Sequence, residues 1–139
     1  MRRTDKYPDT DTFHYFNANP HNRINGDCVI RAIATATGKT WEHIVRELTE
    51  IGLKHGLICN DVKCYEIYLA QEGWIKHPQP RKADNTKFTG QEFCRLLQAR
   101  RDNFPVIAHI GGHHIVAIIE GRVWDTWDST CGCIGNYWN

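Results

Sequence analysis

Cys28 follows Gly26-Asp27 and precedes "VIRAIATATG", a run with Val29, Ile30, Ile33 and Thr37 at helical spacing. A cysteine at a helix N-terminus meets free backbone N–H groups and the positive end of the helix dipole, and both favour the thiolate. The segment "GGHHIVAIIEGRVWDTWDS" carries His113 and His114 at the start of one apolar run, and Asp125 and Asp128 on or just after the next. A carboxylate fixes the tautomer and orientation of an imidazole, and the imidazole in turn activates a thiol. These residue types therefore fit nucleophilic catalysis by a cysteine, a histidine and an acid.

Such a set works only if the fold converges on it. "IIEGRVW" reads as a tight hairpin turning at Glu120-Gly121, which sets Ile115 opposite Thr126 and His114 opposite Trp127. One residue of slip or strand twist brings His114 to Asp125 or Asp128. His113 and His114 point to opposite faces of a strand, so only one of them can face the Cys28 helix.

The elements before the hairpin read as helical. Asp27 is expected to cap the Cys28 helix, and Gly38 to stop it. Thr40 caps an amphipathic segment with Trp41, Ile44, Val45, Leu48 and Ile51 on one face. Asn60 or Asp61 starts a third helix ending at Gly73, and Thr89 a fourth with Phe93, Leu96 and Leu97 inward. "FPVIAHI", "HHIVAIIE", "RVWDTWD" and "CIGNYW" then follow as short β-branched and aromatic runs. Helices followed by strands predict an α+β fold, with N-terminal helices packed on a C-terminal antiparallel sheet.

At 139 residues the chain is expected to be one domain, residues 1–139, with residues 1–20 as an ordered or loose N-terminal arm. The formal net charge of +1 implies neither nucleic acid nor a membrane as partner. No apolar h-region follows the first arginines, so a cytoplasmic location is expected. The cysteines lack a Cys-x-x-Cys pair, so neither a structural zinc nor any other metal or cofactor is expected. Cys59, Cys64 and Cys94 read as helix-core residues, and Cys131 and Cys133 fall in a glycine-flanked turn.

"GDCVIRAI", "GHHIVAI" and "VWDTWDS", in that order, resemble the papain-like cysteine peptidase superfamily, and most closely its small bacterial and phage members. With the helices after Cys28, the likeness spans most of the chain. It implies a papain-like fold in which Cys28 is the nucleophile, His114 the general base and acid, and Asp125 the residue that orients the histidine. It places an amide, usually a glutamine, a few residues before the cysteine to help bind the oxyanion. This chain has no glutamine there. Asn22 and Asn25 are the amides available, and Asn22 has the better spacing. The Cys28 backbone N–H would be the second donor. The implied activity is a thiol hydrolase acting on an amide, peptide or isopeptide bond in a peptide, protein or peptidoglycan-like substrate. Two alternatives share the pattern: a cell-wall amidase of the CHAP type, and a catalytically inactive papain-like binding module, such as a phage protein that blocks a host factor.

Overall fold

The computed structural model describes residues 1–139. Five helices and six strands follow one another along it as α1 (Arg3–Lys6), β1 (Phe13–Tyr15), α2 (Cys28–Thr37), α3 (Trp41–His55), α4 (Val62–Gln71), β2 (Lys76–His77), α5 (Gly90–Arg100), β3 (Val106–Ile110), β4 (His114–Ile119), β5 (Arg122–Asp125) and β6 (Ile134–Trp138). The class is α+β. No helix is long and apolar enough to cross a membrane.

Local chemistry sets the helix limits. Thr40 accepts the His43 N–H at 3.1 Å and caps α3. Thr89 and Glu92 form a reciprocal capping box at α5. Each such cap is worth about 1 kcal/mol. Gly38 and Gly56 close α2 and α3 with φ of 72° and 70°, a conformation that costs glycine nothing.

The six strands form one mixed sheet in the order β1-β5-β4-β3-β6-β2. This corrects the wholly C-terminal, antiparallel sheet expected from sequence. The four C-terminal strands do pair antiparallel, but β1 adds to β5 in parallel and β2 adds to β6. Both edge strands thus come from the chain before α5.

Helices cover both faces. On β3 and β4 the side chains alternate, so Ile107, Ile115 and Ala117 pack against α2, α3 and α4. Val106, Ala108, Val116 and Ile118 pack on the other face, against Phe93, Cys94 and Leu97 of α5. Ile33, Ile44 and Leu48 are fully buried in the first layer, each contributing about 1.5–3 kcal/mol. Cys64 and Cys94 are helix-core residues. Cys59 is not: it is half-buried in the turn between α3 and α4, because α3 already stops at Gly56.

The β4–β5 hairpin has the expected register, with Ala117 opposite Trp124 and Ile118 opposite Val123. Glu120 and Gly121 both have positive φ, 50° and 74°, as a two-residue turn matched to strand twist requires.

Candidate active site

Helix α2 lies across β4 and β5, so its first residue, Cys28, meets the start of β4. His114 opens that strand, and Asp125 closes β5 beside it. The three residues come together at one end of the sheet. His114 Nε2 donates to Asp125 Oδ2 at 2.5 Å, and the Cys28 thiol lies close enough to the ring for His114 to lower its pKa. The Ile115 backbone N–H also points at the sulfur.

The electrostatics of the three are coupled. Burial favours the neutral imidazole, yet the Asp125 carboxylate and the Cys28 thiolate outweigh it and push His114 up to about 9. Burial also opposes ionisation of Cys28. The His114 hydrogen bond and charge, the Ile115 N–H and the Arg31 charge overcome that and hold the thiol below its ordinary range. Asp125 is buried too, and hydrogen bonds and charge from His114 and Arg31 keep it ionised below the usual carboxylate range. Both shifts run in the direction of a thiolate–imidazolium pair.

Trp127 covers the pair. Its ring centroid lies 4.9 Å from that of His114, with the two planes tilted by 40°. His113 is exposed in the turn before β4 and takes no part. Asp128 accepts from the Thr130 N–H at 3.0 Å and from its hydroxyl at 2.6 Å, so it caps the turn after β5.

Two expectations need correction. Asp27 does not cap α2 with its side chain. It is 5% exposed and turns inward, accepting from Arg31 Nε at 2.8 Å, Trp41 Nε1 at 2.9 Å and Asn19 Nδ2 at 3.1 Å. A guanidinium and an indole N–H buried beside it are stronger partners than helix amides that water can reach. Asn22 does not face the cysteine. It sits in a left-handed turn, φ 53°, and its side-chain oxygen faces Asn17 Nδ2 at 3.4 Å. Asn25 lines the cleft beside Cys28 and Gly26 instead.

Arg31 is the site residue that sequence reasoning missed. It is 7% exposed, donates through Nε to Asp27, and donates through Nη1 to Asp125 Oδ1. One guanidinium thereby ties the helix that carries Cys28 to the strand that carries Asp125. The available signal was a charged residue inside an otherwise apolar helix, one turn after Asp27.

The cleft over the sulfur encloses about 420 Å³. An apolar hollow of about 330 Å³ between Trp41 and Trp124 lies toward the other end of α2 and holds none of these residues. Comparison with protein-family models, with curated proteins and with solved structures gives no match to this chain.

Proposed function

We propose that this chain is a papain-like thiol hydrolase that cleaves an amide, peptide or isopeptide bond, with Cys28 as nucleophile, His114 as general acid and base, and Asp125 as the group that orients His114. The observation that carries the reading is the continuous contact from the helix-terminal thiol through one imidazole to a buried carboxylate. A core histidine seldom has both a carboxylate and an ionisable thiol as partners. The perturbed ionisation of all three groups in a cleft fits a reacting site.

In the first half-reaction the Cys28 sulfur attacks the scissile carbonyl carbon, and a C–S bond forms as the carbonyl electrons move to oxygen. The Cys28 backbone N–H and the Asn25 amide are the donors available to that oxyanion. The tetrahedral intermediate collapses, the C–N bond breaks, and the leaving amine takes the proton held by His114. Water then attacks the thioester, giving a proton to His114, and the acid product leaves as the thiolate re-forms.

The test is alkylation by iodoacetamide near pH 7, read cysteine by cysteine by mass spectrometry. Cys28 should react at least ~10-fold faster than Cys131 and Cys133, the two exposed thiols. Rates at Cys28 no higher than at those two would overturn the reading.

A further inference from the structure

The cleft over Cys28 has one wall built from the N-terminal arm. Arg3 and Tyr7 line it together with Ile24. Arg3 and Ile24 also line an adjoining depression of about 410 Å³ with Arg2 and Tyr15. The two hollows share these side chains, so a groove runs from the sulfur outward past the arm.

The charge along this groove is one-sided. No aspartate or glutamate lines either hollow. Most of the cations near it are already matched. Arg31 faces Asp27 and Asp125, His114 faces Asp125 and Cys28, and Arg2 pairs with Asp5 at 3.1 Å. Arg3 differs. It is half-buried, its Nε donates to the Thr126 carbonyl at 2.9 Å, and its guanidinium lies 5.3 Å from the Tyr7 ring. It has no carboxylate partner. The Thr126 bond and the Tyr7 ring hold the guanidinium in place at the residue before Trp127, while its terminal N–H groups remain free. A fixed, partly desolvated guanidinium without a counter-ion is suited to a carboxylate, which it can bind through two parallel N–H bonds.

We infer that Arg3 forms an anion subsite of the Cys28 cleft, so that the substrate carries a carboxylate close to the bond that is cut. This rests on the thiol-hydrolase reading and narrows its substrate class. The carboxylate comes either from an acidic side chain or from a chain terminus, and the chemistry of recognition is the same for both.

The experiment uses chloroacetyl reagents that alkylate thiols, in matched acidic and neutral pairs. One pair is N-chloroacetyl-glutamic acid α-amide and its glutamine counterpart. The other is N-chloroacetyl-glycine and its amide. For each pair, the acid-to-neutral rate ratio at Cys28 is divided by the same ratio at Cys131 and Cys133 of the same chain. The parent should show a preference of ~3- to 10-fold for the acid in at least one pair, the size expected of one cation partly out of water. The pair that shows it identifies the source of the carboxylate. Arg3→Gln should abolish the preference, and Arg3→Lys, which keeps the charge, should retain most of it. A parent with no preference in either pair overturns the inference. So does a preference that survives Arg3→Gln, or one that Arg3→Lys loses as completely as Arg3→Gln does. The hydrolase reading fails separately, on the absolute rate of the neutral reagents at Cys28, because the ratio cancels the intrinsic reactivity of the thiol.

Discussion

Asp27 and Asp125 grip the same guanidinium, that of Arg31, from the helix side and the sheet side of the protein. The carboxylate that orients His114 is therefore also a structural anchor, and changes to it should register both in chemistry and in stability.

Asp125→Asn is expected to do both. The amide no longer balances an imidazolium, and Arg31 loses one of its two anions. Reactivity of Cys28 should fall ~10- to 100-fold near neutral pH. Stability should fall by about 2–4 kcal/mol, because a buried charge is left partly unmatched. Paired measurements of the alkylation pH profile and of urea unfolding check this. Asp128→Asn should leave the alkylation profile unchanged, since Asp128 serves only the Thr130 turn. The opposite ranking of the two variants would move the orienting role to Asp128.

Removing the cation should be worse for the fold than removing either acid. Arg31→Ala leaves two buried carboxylates facing each other, at a cost of about 3–5 kcal/mol. Arg31→Lys restores charge but cannot donate in two directions from one planar group, so it should recover less than half of the loss. Denaturant midpoints at constant m-value provide the comparison.

The His114 ionisation has a definite sign. Its value in the folded chain, about 9, lies above the ordinary histidine value of about 6.5. The protonated ring therefore stabilises the fold fully below pH 6.5, and the contribution is lost as pH rises through 9. The stability difference between the parent and His114→Gln should be largest near pH 6 and shrink toward pH 9.5. Asp125 acts at the other end: its lowered value stabilises the fold above about pH 4, and this is lost on further acidification. A difference that stays flat from pH 6 to 9.5 would show that His114 is not held protonated.

Asn25, not Asn22, should matter to acyl transfer. Asn25→Ala is expected to slow acylation by an activated ester at least ~10-fold, while Asn22→Ala leaves it within about twofold. Burst kinetics with a p-nitrophenyl ester separate acylation from turnover. Equal effects of the two would leave the Cys28 backbone N–H as the main oxyanion donor.

Much of this arrangement was legible from local rules. The Glu120-Gly121 turn set the register of the hairpin that carries His114 and Asp125. Thr40 and Thr89 marked the helix starts they do cap. Long-range pairing was not legible. Phe13–Tyr15 is too short for a period to emerge, and its parallel partner, β5, lies at the far end of the sequence. Lys76–His77 has the same difficulty. Asp61 was expected at a helix start and sits there, but its carboxylate accepts the Ile58 N–H of the preceding turn instead of capping α4. Arg31 escaped notice because a buried arginine is legible only once both of its acids are known, and Asp125 reaches it from another element.

The parallel pairing of β1 with β5 has a consequence for how the protein is made. Phe13, His14 and Tyr15 leave the ribosome early, yet their partners Val123, Trp124 and Asp125 leave late. Cys28 and Arg31 wait for the same late segment. At about 5–20 residues per second, the helix bearing the thiol precedes its histidine and acid by roughly 5–20 s. During that interval the nascent chain holds an ordinary cysteine, and chains arrested before Asp125 should label at Cys28 no faster than at Cys59. The thiol, the imidazole and the carboxylate then come together in one step, when β5 slots between β1 and β4, so that an unfinished chain carries the helix without the site.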